Sequence, residues 1–144
     1  MGRLKKLDKL EAGYGYRTSS VEEHSVIAAA LLELKLDDPR VCVERLDSCM
    51  NSRRKTQPLG WPSAGSVFKN PLSHCAESAG ALIERVGLKG YRRAGLFFSE
   101  MHANWILRDS PSARASDLLS LLDRARELVY ESCLVELETE LVFL

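Results

Sequence analysis

Two features of this sequence carry groups that could each do chemistry: a hydroxyl set among small residues, and a stripe of carboxylates. The hydroxyl is Ser66, in the segment 58–71, PLGWPSAGSVFKNP, which holds three of the five prolines and two of the nine glycines. Pro58, Gly60 and Pro62 rule out a helix there, because proline lacks a backbone donor and its ring crowds the preceding turn. Ala64 and Gly65 carry almost no side chain, so a ligand can approach the backbone just ahead of Ser66. With residues 66–70 extended, Ser66, Phe68 and Asn70 point to one side and Val67 and Lys69 to the other, so a hydroxyl and an amide share a face. The carboxylates are Glu136, Glu138 and Glu140, which alternate with Leu137, Leu141 and Phe143. Taken bare, a small-residue loop entering a strand is ordinary turn chemistry, and a row of glutamates is ordinarily a solvated sheet face.

The remaining polar groups read more plainly. His102 is a general base by residue type, but its place in Ser-Glu-Met-His-Ala-Asn, 99–104, fits a turn-holding role better, with Glu100 or Asn104 as substrate-side candidates. Arg53, Arg54 and Lys55 load the end of a helix, where cations favour the macrodipole. Gly13 and Gly15 make no dinucleotide fingerprint, because a third glycine, a preceding strand and a following helix are missing. Cys42, Cys49, Cys75 and Cys133 show no Cys-x-x-Cys spacing; Cys42 and Cys49 share a helical face, as small buried hydrophobes would. His74-Cys75 has no second pair, so no metal site is expected.

These groups need a scaffold, and 144 residues with 45% hydrophobic content can bury one core. Leu4, Leu7 and Leu10 predict a short helix over 3–11. The apolar run 26–32 predicts a buried strand over 24–36, although its three alanines also suit a helix. Asp37-Asp38-Pro39 opens a helix over 40–54 with Val41, Leu46, Cys49 and Met50 on its apolar face. A helix over 75–86 stops at Gly87, and short strands fall at 96–98 and 105–107. The clearest helix spans 115–131, and a final strand spans 135–143. Twenty basic residues balance twenty acidic ones, which gives no reason to expect a nucleic-acid or membrane partner. The longest apolar run is too short to span a bilayer and no secretory signal is present, so a soluble cytoplasmic protein is the expectation.

Several of these words occur together in one family. Ser-Ala-Gly-Ser-Val-Phe-Lys-Asn-Pro resembles the signature loop of the UDP-N-acetylenolpyruvoylglucosamine reductases, also called UDP-N-acetylmuramate dehydrogenases. Gln57-Pro58-Leu59, Ala-Gly-Ala-Leu-Ile-Glu, Gly-Leu-Lys-Gly-Tyr-Arg, Ser-Glu-Met-His-Ala-Asn and Leu137-Glu138-Thr139-Glu140 follow in the family's order. Tyr16-Arg17-Thr18-Ser19 is similar to its Tyr-Arg-Asp-Ser, with Thr18 in place of the aspartate. The resemblance runs from about Gly15 to Phe143. It implies an α+β fold, a small mixed sheet with helices packed on it, like the family's C-terminal substrate-binding domain over 21–144, with 1–20 the end of the FAD-binding region.

In that family NADPH reduces FAD, and the flavin passes hydride to the enolpyruvyl ether of a UDP-sugar on the way to peptidoglycan. By resemblance Ser66 donates the proton to the neighbouring carbon, while Arg17 and Glu140 stabilise the enol-like intermediate, Glu140 as the protonated acid. Lys69, Asn70, Arg54 and Glu100 fall on the substrate side. The family usually has Thr where Arg114 stands; losing that N-cap of the 115–131 helix costs about 1 kcal/mol unless Ser112 or Ser116 takes over. Most of the flavin site lies in a long N-terminal region of which only the last few residues match here, and no glycine-rich loop cradles a dinucleotide phosphate. The expectation is therefore a C-terminal part that works with a separate flavin-binding region, or else a non-catalytic nucleotide-sugar-binding remnant.

Overall fold

Leu96, Phe98 and Ile106 are apolar residues at alternate positions of two short runs, and burying them builds the molecule. In the computed structural model, which describes residues 3–22, 24–71 and 75–143, the regular elements are α1 (Pro39–Thr56), β1 (Ser63–Ser66), α2 (Ala79–Arg85), β2 (Arg92–Arg93), β3 (Leu96–Phe98), β4 (Trp105–Arg108) and α3 (Ala115–Cys133). The strands form one sheet in the order β1-β4-β3-β2. Every pair is antiparallel, with Phe97 opposite Leu107 and Phe98 opposite Ile106. The expected α+β class and the strands at 96–98 and 105–107 hold; the two-residue strand β2 carries no signal of its own in the sequence.

One face of the sheet packs on helices. Leu96, Phe98 and Ile106 join Leu82 and Ile83 of α2 and Leu121, Leu122, Ala125 and Val129 of α3 in a single cluster, extended by Val67, Phe68, Val135 and Leu137. Each fully buried side chain of this size contributes about 1.5–3 kcal/mol. The opposite face holds Phe97 and Leu107, both buried. Trp61 meets Phe97 edge-on at 5.2 Å, and the Arg92 guanidinium lies 3.9 Å above that ring while pairing with Asp109 at 2.7 Å. A half-exposed tryptophan and a stacked arginine thus close the second face.

Helix α3 starts where predicted, but neither serine caps it. The Asp117 carboxylate accepts from the Arg114 N–H at 2.9 Å, so an acid three residues inside the helix replaces the missing hydroxyl. Helix α2 is shorter than expected because Ser78 caps it by accepting from Ala81 N–H.

The chain divides by its internal contacts into two units, Met1–Asp37 and Asp38–Leu144. In the first, the predicted helix over 3–11 is a single turn. The Asp8 carboxylate accepts from both Leu10 and Glu11 N–H at 2.8 Å, a local bond that competes with the helical ladder. The strand predicted over 24–36 is absent: the segment has no ladder, and Val26, Ile27, Leu31, Leu32, Leu34 and Leu36 are each more than 70% exposed. An extended chain becomes a strand only when a neighbour takes its backbone groups. In the second unit α1 forms as predicted, with Asp38 accepting from Arg40 N–H at 2.7 Å, but it buries no residue, and Cys42 and Cys49 are exposed rather than buried. The final strand is reduced to an isolated bridge, Thr139 to Phe68. Among the described residues no helix is long and apolar enough to cross a membrane and no cluster of metal-ligating side chains occurs; His74 lies outside them.

Candidate functional site

Ser66 ends β1, opposite Trp105 of β4, where the register of the pair shifts between Ser63 and Ser66. Gly65 makes that shift: its φ of +87° lies in the left-handed region, and a Cβ there would meet nothing within 4 Å, so conformation and not space demands glycine. A shift of this kind re-aims the next side chain. Beyond it, the chain leaves the ladder and runs between two neighbours. On one side Val67 N–H donates to the Asn104 carbonyl at 2.9 Å. On the other, Glu140 N–H donates to the Val67 carbonyl at 2.9 Å and Lys69 N–H to the Glu138 carbonyl at 2.8 Å. The carboxylate-bearing segment is therefore laid beside the hydroxyl-bearing one, with Glu140 bonded one residue from Ser66.

The Asn104 side chain, 3% exposed, takes both polar groups of Phe68: its Oδ1 accepts from Phe68 N–H at 3.0 Å and its Nδ2 donates to the Phe68 carbonyl at 2.8 Å. Left unpaired at this depth, each group would cost about 1–3 kcal/mol. The turn that presents Asn104 is held in its own right. Ser99 Oγ accepts from the N–H groups of Met101 and His102 at 3.0 and 3.2 Å, and His102 Nδ1 accepts from Asn104 N–H at 3.3 Å, which leaves the ring proton on Nε2. Burial pushes the His102 pKa below its ordinary 6.5. The ring packs on α2 at Gly80, where a Cβ would stand 3.2 Å from its Cε1.

The other sequence-predicted residues fall as follows. Lys69 pairs with Glu138. Asn70 Oδ1 accepts from Ala79 N–H at 3.0 Å, which ties the site segment to the start of α2. Glu100 packs its side chain over the Gly90 turn. Arg54 donates to Asn51 within its own helix at 3.4 Å. Arg17 belongs to the first unit, in a tight turn closed by Gly15 and Thr18, with a φ of +57° and its guanidinium 5.8 Å from the Tyr16 ring.

This assembly of Ser66, Lys69, Asn70 and Glu140 around one clamped segment coincides with a match to a known family: residues 57–144 fit the family described as UDP-N-acetylenolpyruvoylglucosamine reductase, C-terminal domain. The chain belongs to this reductase family. It is 41% identical over 140 residues to the UDP-N-acetylenolpyruvoylglucosamine reductase of Moorella thermoacetica, covering 97% of this chain and 45% of that protein. It is 36% identical to the Bacillus subtilis reductase, covering 96% and 45%. The crystal structure of the Thermus caldophilus reductase superposes with a TM-score of 0.72 at 35% identity, over 91% of this chain and 46% of that one. The chain thus spans just under half the length of these reductases.

The reductase family's flavin can be tested against the residues present. Phosphates of a dinucleotide commonly sit on a helix N-terminus. Here α1 opens on the Asp38 carboxylate, α3 on that of Asp117, and the short α2 on Ser78 and Asn70. Each is filled by its own cap, two of them negative. The cleft beside β1, lined by Ser63, Ala64, Val67, Ile106, Arg108 and Leu141, measures about 230 Å³, below the roughly 300–1,000 Å³ of cofactor and drug pockets. A second hollow of about 630 Å³ is lined by α1 residues only, Glu44, Asp47, Ser48, Asn51, Ser52 and Lys55, with no apolar wall for a flavin ring and two carboxylates against a diphosphate. The described residues therefore do not fit FAD. Sequence reasoning missed the inward turn of Asn104, which it weighed as a substrate-side residue, and the packing of His102 on Gly80, a small residue in a word read only as part of a helix.

Proposed function

We propose that the chain is the proton-delivering, substrate-side part of a UDP-N-acetylenolpyruvoylglucosamine reductase, acting in the cytoplasm on the enolpyruvyl ether of a UDP-sugar. The observation that carries this reading is the backbone bond from Glu140 to Val67 at 2.9 Å, which supports placing a carboxyl group beside the Ser66 hydroxyl. When hydride reaches the methylene carbon, its neighbour becomes enolate-like and basic enough to take a proton from an alcohol; Ser66 holds that proton. Glu140, half-buried, and the fixed charge of Arg17 stabilise the enol-like form. Lys69, Asn70, Arg54 and Glu100 are the candidates for holding the nucleotide-sugar. The flavin and NADPH belong with the part of the relatives that this chain does not span, so that part is the partner this reading requires.

The test joins the chain to the upstream part of the Moorella thermoacetica reductase and follows substrate-dependent NADPH oxidation. Ser66→Ala is expected to lower kcat by about 10²–10⁴-fold with the substrate still bound, the range of a lost proton donor. Nucleotide-sugar binding without turnover in the joined wild-type protein would replace this reading with that of a binding domain.

A further inference from the structure

We infer that Asn104 is the positioning residue for Ser66, a role that rests on the reading of Ser66 as proton donor. The residues 66–69 do not lie within a regular ladder. Gly65, at φ +87°, takes the chain out of register with β4, and Pro71 ends the extended run two residues after Lys69. Between these points, β4 would ordinarily bond the segment through its own backbone. The Asn104 carboxamide instead supplies one acceptor and one donor to Phe68, and the Asn104 backbone carbonyl accepts from Val67 N–H. A side-chain amide thus mimics a missing strand residue, and it does so from a position 36 residues away in sequence. Both of its polar atoms are committed to the backbone and the residue is 3% exposed, so the carboxamide is spent on Phe68 and not on a ligand.

Three features make the clamp stiff. The hydrogen bond into His102 Nδ1 fixes the Asn104 backbone. The His102 ring rests on Gly80 and lies 6.3 Å from the Trp105 ring, and Trp105 is the residue opposite Ser66. The bridge from Phe68 to Thr139 closes the other edge. Removing the donor half of the carboxamide frees the Phe68 carbonyl, and the displacement falls on Ser66 two residues earlier. A hydroxyl that must meet one carbon atom is sensitive to such a shift, since about 1 Å of misplacement costs about 100-fold in rate.

The experiment uses the joined reductase described above with Asn104→Asp, Ser66→Ala and the double variant. Asp keeps the acceptor for Phe68 N–H and, when ionised, lacks the donor for Phe68 C=O. Expected is a kcat lowered about 100-fold for Asn104→Asp with KM within about threefold, and a double variant no slower than Ser66→Ala alone, because the clamp acts only through the serine. An unchanged kcat in Asn104→Asp, or a double variant slower than Ser66→Ala by the full factor of the single change, overturns the positioning role while leaving the proton donor in place. Wild-type turnover in Ser66→Ala overturns the donor itself. Amide hydrogen exchange on the unsubstituted chain tests the clamp without any variant: the Phe68 and Val67 amides should be protected as strongly as those of Leu121 and Leu122, and fast exchange there overturns it.

Discussion

Residues 24–56 and residues 57–143 treat their apolar side chains in opposite ways. The later stretch closes a core around Phe98, Leu82 and Leu122, each under 2% exposed. The earlier one buries nothing, and Leu31 and Leu36 stand free at 95% and 104%. Both carry the periodic apolar pattern that ordinarily goes with burial. The difference teaches that the pattern announces a demand for burial and does not say what meets it. In the later stretch α2, α3 and the sheet answer one another within the chain. Residues 24–36 have no neighbouring strand among the described residues, and helix α1, capped by Asp38, buries none of its side chains.

The largest effect that sharpens this contrast comes from paired truncations. Leu82→Ala should destabilise the chain by about 2–5 kcal/mol, whereas Leu31→Ala should change it by less than about 0.5 kcal/mol, both read from urea unfolding. Repeating Leu31→Ala in the joined reductase could break the contrast: a cost of about 2 kcal/mol or more there would mean that the upstream part covers this residue. A smaller effect is expected within the core-forming stretch. Gly65→Ala should cost about 1–2 kcal/mol, because the left-handed backbone admits a side chain only with strain, while leaving the helices intact by circular dichroism. Smaller still is the pH response of His102. Its pKa in the folded chain lies below 6.5, so the unfolded chain takes the proton first as pH falls. Stability should be full above pH 6.5 and decline as pH drops from there through the folded value, and His102→Gln should flatten that slope.

Much of the fold was legible because the deciding signals were local. Pro39 after Asp38 starts α1, the leucine spacing marks α3, and the two short apolar runs mark β3 and β4. What was not legible depended on partners. The run 26–32 reads as a buried strand whichever neighbour it has, and among the described residues none provides one. The final alternation at 135–143 promised a full strand, but Gly65 and Pro71 limit its partner to a few residues and leave a single bridge at Thr139. Of the candidate site, Ser66, Lys69, Asn70 and Glu140 were expected by resemblance and fall around one segment. Asn104 stayed open in the sequence, as one of two substrate-side candidates, for a physical reason: an amide suits a ligand and a backbone equally well, and only the depth of its burial separates the two.

The double edge of residues 67–69 also bears on when the site can exist. Its partners are Asn104 on one side and residues 138–140 on the other, so two loops of roughly 36 and 71 residues must close before the segment is held. Such closures between distant parts of a chain are slow compared with helix formation. During synthesis the helices, the β3–β4 hairpin and the Asn104 edge can be in place while residues 67–69 are held on one side only, and the segment gains its second edge only after residue 140 has cleared the ribosome.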